Sequence, residues 1–187
     1  MLRSQKKFVI EKYSYNTSWY LDMTKQSDSE DLAASNKRSL RRLERAIAMS
    51  QGQFSLILVS CNQPALRRQV VNQLQEVSSF QIQELTLHPS VNTLFTTILT
   101  AIEEPPPSAL MVFGIESVVA IEQVLSSTNL VRDEFRKQFP FPLVLWINDE
   151  ILNKLIRLAP DFKSWAANPI RLEIPSNHSL EWAGITA

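Results

Sequence analysis

The residues best placed to do chemistry follow three apolar runs. Cys61, Asn62 and Gln63 come after SLILVS and before PALRRQVVNQL, in which Arg67 and Arg68 stand one turn in. Glu116 follows ALMVFG, and Asn148, with Asp149 and Glu150, follows PLVLWI. A turn between a buried strand and a helix attracts anions, because the first helical N–H groups lack partners and the dipole is positive there. To close on a polyphosphate, such a turn needs glycines so that consecutive N–H groups can curl round the phosphates. It also needs a lysine to reach the β- and γ-phosphates and a hydroxyl for Mg²⁺. The slot here reads SCNQPALRRQ. Its side chains block the curl, Pro64 removes a donor and no lysine is present, so no resident cofactor is expected and ATP with Mg²⁺ is disfavoured. What remains is a vestigial nucleotide site of Cys61, Asn62, Gln63, Arg67, Glu116 and Asn148. Three of these also have a plain structural reading. Asn62 can cap the helix that follows it, Glu116 can cap the next one, and Asn148 can cap a third, whose first turn favours the acids Asp149 and Glu150.

Cys61, the only cysteine, sits beside a helix N-terminus that would lower its pKa. A cysteine nucleophile needs a histidine nearby, and His88, at the end of another strand-like run, is the candidate. Two histidines and one cysteine make no metal cluster, so no metal site is expected. The strongest cationic patch is the helical segment 37–51, KRSLRRLERAIAMSQ. Leu40, Leu43, Ala46 and Ile47 form its apolar stripe, and Lys37, Arg38, Arg41, Arg42 and Arg45 its basic face. Such a face is ordinarily solvated, but it could also meet a nucleic acid or an acidic partner.

These groups must be positioned by alternating strands and helices. The strands are expected over 54–60, 80–87, 109–114, 142–147 and 170–174. The run 54–60 is apolar without alternation, as in a strand covered on both faces. The run 80–87 alternates imperfectly, with a slip near Gln83 and Glu84, and reads as nearer an edge. Helices are expected over 65–74, 91–102 (capped by Ser90), 115–125, 129–138, 149–158 and 161–166. Gly52 ends the first helix, and Pro64 stands in the first turn of the second. EEPPPS at 103–108 is a stiff connector. Strands alternating with helices imply right-handed crossovers and a parallel sheet between helical layers. The expected fold is therefore three-layer α/β/α with a five-stranded, mainly parallel sheet. It occupies residues 36–175, between an N-terminal arm (1–35) and a C-terminal tail (176–187). The arm carries Phe8, Tyr13, Tyr15, Trp19 and Tyr20 among basic residues, a combination that could stack on single-stranded nucleic acid.

Composition narrows the function classes. Among 187 residues, 44% are hydrophobic and 20% charged, a globular balance. The formal net charge is zero, so no overall field draws the chain to nucleic acid or acidic membranes. No apolar run approaches the ~20 residues of a membrane span, and no membrane association is expected. One cysteine and no secretory leader fit a cytoplasmic protein.

The segments CNQPALRRQVVNQL, ALMVFGIES and, above all, FPLVLWINDEILNKLIRLAPDFKSWAANPIRLEI resemble bacterial STAND/AAA-type P-loop NTPase domains whose phosphate loop has eroded. The resemblance covers roughly residues 36–174. It implies a five-stranded parallel sheet with helices on both faces, and often the front portion of a larger protein, in some cases followed by tetratricopeptide repeats. In relatives with a complete loop, nucleotide sits at the N-terminus of the helix after the first strand. The family's role is signalling or assembly scaffolding. The leading expectation is a non-catalytic protein-interaction, scaffolding or regulatory domain, whose partner is another protein or a further domain of a longer chain. The alternatives are a residual nucleotide-binding switch or weak ATPase, and a nucleic-acid-binding module using the basic helix.

Overall fold

The computed structural model describes residues 18–78 and 80–173, and for residues 18–30 and Val77 it describes the backbone only. The expected tail, and the arm's Phe8, Tyr13 and Tyr15 together with the side chains of Trp19 and Tyr20, lie outside the described residues. Residues Asn36–Glu173 form one compact unit.

The five strands are β1 (Ser55–Cys61), β2 (Ile82–Thr86), β3 (Ala109–Phe113), β4 (Pro142–Ile147) and β5 (Ile170–Leu172). They lie in one sheet in the order β2-β3-β4-β1-β5, and every neighbouring pair is parallel. The helices are α1 (Ser18–Met49), α2 (Pro64–Val77), α3 (Leu94–Ala101), α4 (Ile121–Leu130), α5 (Arg132–Gln138), α6 (Asp149–Leu158) and α7 (Pro160–Ser164). The α/β class and the all-parallel five-stranded sheet agree with the sequence reading. β3 and β4 are buried at every residue, as their unbroken apolar runs require in a sheet covered on both faces.

Two apolar clusters flank the sheet. On one face, Leu43 and Ile47 of α1 and Val70, Val71 and Leu74 of α2 pack on Ile57, Val59, Met111, Val144 and Trp146. On the other face, helices α3 to α7 pack on Leu56, Leu58, Leu110, Val112, Leu143 and Leu145. Phe135 of α5 is fully buried there, with Phe95, Phe139 and Phe162 at ring distances of 5.3, 5.5 and 4.9 Å. The apparent slip in β2 is a change of face. Ile82 packs with the α1/α2 cluster and Leu85 with the opposite one, while the register from Ile82↔Ala109 to Thr86↔Phe113 stays unbroken.

The two edges of the sheet differ. β5 has only three residues, and α1 covers its open side. Asn36 donates to the Glu173 carbonyl (2.7 Å) and accepts from the Glu173 N–H (3.1 Å), and the Ser39 hydroxyl donates to the Arg171 carbonyl (2.8 Å). A helix that satisfies edge backbone groups removes a template for pairing with another chain. β2 is the other edge, as its sequence suggested.

Several boundaries differ from the sequence reading. α1 starts at Ser18, inside the segment expected as an arm. Ser90 does not cap a helix. It bonds to His88 (Oγ to Nδ1, 2.8 Å), and α3 begins later, behind Thr93. The segment expected as a helix over 115–125 is a single 3₁₀ turn at Ile115–Ser117, followed by α4 from Ile121. Gly114 makes the turn before it at φ 75°, where an added Cβ would lie 3.1 Å from the Leu87 carbonyl oxygen. A side chain there would need both an unfavourable backbone and displacement of that backbone neighbour. The final strand ends at Leu172, and the residues expected to extend it past Glu173 lie outside the described part.

Phe135 anchors the larger cluster, so Phe135→Ala is expected to lower the unfolding free energy by about 3–5 kcal/mol in denaturant titration. Val119→Ala, at a residue 85% exposed, is expected to change it by less than about 0.5 kcal/mol. Equal effects would contradict this packing.

Candidate functional site

β1 and β4 are neighbours, yet the helices that follow them leave to opposite faces of the sheet, α2 to one and α6 to the other. In open parallel sheets, the crevice beyond the strand ends at such a divergence is where ligands bind. Asn62 follows β1, and Asp149 opens α6 after β4.

These two residues hold each other. Asn62 Nδ2 donates to Asp149 Oδ2 at 2.8 Å, and the Asp149 N–H donates to Asn62 Oδ1 at 3.1 Å. Asp149 Oδ1 also accepts from the Ser60 hydroxyl at 3.1 Å and from the Arg171 guanidinium at 3.0 Å. The crevice is thus spanned by a closed hydrogen-bond knot between the ends of β1, β4 and β5. The Asn62 amide above all, then the Ser60 hydroxyl and Arg171, hold the Asp149 carboxyl below the usual carboxylate range, against an opposing desolvation.

Asn62 therefore does not cap α2, a correction to the sequence reading. Gln63 takes the cap position with no side-chain cap bond, and Pro64 stands in the first turn as expected. Asn148 does cap α6, accepting from the Ile151 N–H at 2.8 Å. That bond uses its side-chain oxygen and keeps it apart from the knot. Cys61 is the last residue of β1, is buried, and lies 3.3 Å (Sγ) from the Gln63 carbonyl oxygen. His88 does not approach it. It follows β2, three strand positions from β1, or about 14 Å across the sheet. The cysteine–histidine pairing is excluded on that geometry.

Glu116 caps no helix. Its Oε1 accepts from Arg67 Nη1 in a 2.9 Å ion pair, tying α2 to the turn after β3. The two side chains are only 13% and 27% exposed. Arg67 Nε is buried without an acceptor among the described residues, a situation that ordinarily costs about 1–3 kcal/mol. Beside it, α2 and the ends of β2 and β3 enclose an open groove of about 290 Å³.

The basic residues Lys37, Arg38, Arg41, Arg42 and Arg45 are all exposed on α1. None forms a salt bridge with a described residue, although Arg42 reaches the Asn168 carbonyl at 3.4 Å. They do not join the knot. Sequence reasoning missed Ser60 and Arg171 as partners of Asp149. Ser60 looked like one more residue of a buried strand, and Arg171 like the outward position of an alternating one. Among the described residues, no three His, Cys, Asp or Glu side chains converge as metal ligands would, and no helix is long and apolar enough to cross a membrane.

The groups that bind a triphosphate are not in this turn. Residues 60–64 hold no glycine or lysine, and the amide and carboxylate that face the crevice are bonded to each other. The chain matches no family model, no curated protein and no solved structure.

A carboxylate whose folded pKa lies below its unfolded value stabilises fully above the ordinary aspartate range and loses that contribution as pH falls through the folded value. Asp149→Asn is therefore expected to cost about 1 kcal/mol at pH 7, the bonds being discounted for partial exposure. That difference is expected to close below about pH 4. Urea titrations of both proteins across pH check this, and a difference constant down to pH 2 would contradict it.

Proposed function

We propose that residues 36–175 are a P-loop-NTPase-like domain of the STAND/AAA type that has given up ATP hydrolysis and serves as a protein-interaction, scaffolding or regulatory module. One observation carries the reading. At the position where the sheet would receive a ligand, Asn62 and Asp149 satisfy each other through two hydrogen bonds. A triphosphate there would have to break both, and would find no glycine-lined curl and no lysine in return. The sequence resemblance supports the family; the parallel sheet supports only the coarser fold. The partner of such a module is another protein or a further domain of a longer chain.

Calorimetric titration of the full chain with MgATP is expected to show no binding up to about 1 mM, and phosphate release is expected to stay at background. Micromolar binding, or phosphate release that Glu116→Gln abolishes, would overturn the proposal in favour of a nucleotide switch.

A second reading is favoured by the five exposed cations of α1. Several are spaced three or four residues apart, so they repel one another unless a negative partner covers them. A nucleic acid is one such partner. If it is the natural one, affinity for single strands falls with salt on a log–log slope of several units, and Arg38→Ala with Arg41→Ala reduces that slope by about 1–2. Binding without a salt slope excludes it.

A further inference from the structure

We propose that the groove between α2 and the ends of β2 and β3 binds a small zwitterion, an amino acid with an apolar side chain, apart from the knot at Asn62. The groove is about 290 Å³, close to the lower size of small-molecule sites. Its two sides carry opposite charge. α2 contributes Arg68, beside an Arg67 already paired with Glu116, and β2 contributes the Glu84 carboxylate. Val71 and Phe113 supply an apolar surface between them. A purely anionic ligand would meet Glu84 as a like charge, and a purely cationic one would meet Arg68. A molecule carrying a carboxylate and an ammonium on one carbon is repelled by neither.

Arg68 lines the groove, is exposed and forms no salt bridge with a described residue, so its guanidinium is available for a ligand carboxylate. Glu84 accepts from Gln75 Nε2 through one carboxylate oxygen (2.6 Å), which steadies it and leaves its other oxygen for an ammonium. Phe113 is stacked on Trp146, at 5.6 Å between ring centres, and is a fixed wall for an apolar side chain.

The test uses the full chain, with L-phenylalanine, 3-phenylpropionate and phenethylamine as calorimetric probes. L-phenylalanine is expected to bind with a Kd of about 1 mM or below, and each single-charge probe at least about ten-fold more weakly. Arg68→Ala is expected to reduce L-phenylalanine to the affinity of phenethylamine, and Glu84→Gln to that of 3-phenylpropionate. Both positions are exposed, and circular dichroism confirms that the variants are folded. No L-phenylalanine binding at about 20 mM would overturn the proposal. So would equal binding of all three probes, or affinity unchanged in both variants. The groove and the knot are separate, so failure here leaves the interaction reading standing, and MgATP binding at the knot would leave this one standing.

Discussion

The Asn62–Asp149 contact is the constraint on which the strand-end crevice of this domain depends. It joins the two neighbouring strands whose helices depart to opposite faces, where a parallel sheet opens a crevice. A crevice of that kind opens to solvent, and its donors and acceptors are met by water, by a ligand or by one another. Here the amide of one loop and the carboxylate and N–H of the other fill it, with Ser60 and Arg171 completing the set. Asp149 serves twice: it accepts the knot's hydrogen bonds, and it stands in the first turn of α6, where the helix dipole favours its charge.

The rest of the architecture supports that junction from both sides. β1 is held between β4 and β5, and β5 is so short that it depends on α1, whose Asn36 and Ser39 satisfy its outer backbone groups. Arg171 reaches the knot from β5, so the edge covered by α1 and the crevice are mechanically linked. On the other side of β4, the Arg67–Glu116 pair ties α2 to the turn after β3. Half-buried pairs of this kind add modest stability but fix orientation, since breaking one partner strands the other.

Much of the fold was legible because burial on both faces writes unbroken apolar runs. LMVF and LVLW could be read directly as central strands, and the order of strands and helices then implied a parallel sheet. Asn148 was legible as a cap because its position just before DEILNKL leaves it little else to do. Asn62 looked the same in sequence and was not the same. It precedes a helix too, but a partner 87 residues away claims its side chain. Local pattern cannot register such a competitor. The same holds for Glu116, which bonds to Arg67 across 49 residues rather than capping its own turn. The 3₁₀ turn at Ile115–Ser117 was hidden because Ile115, Val118 and Ile121 are apolar at a spacing that suits a helix, while Gly114 makes a sharp turn just before them. Phe135 carried no signal at all beyond being one aromatic residue in a polar helix.

The most direct measurement is a crystal structure of the full chain grown with a millimolar non-hydrolysable ATP analogue and Mg²⁺. The Asn62 amide is expected to stay within hydrogen-bond distance of both the Asp149 carboxylate and its N–H, with no triphosphate at the start of α2. A triphosphate seated there, with that pair pulled apart, would contradict this expectation.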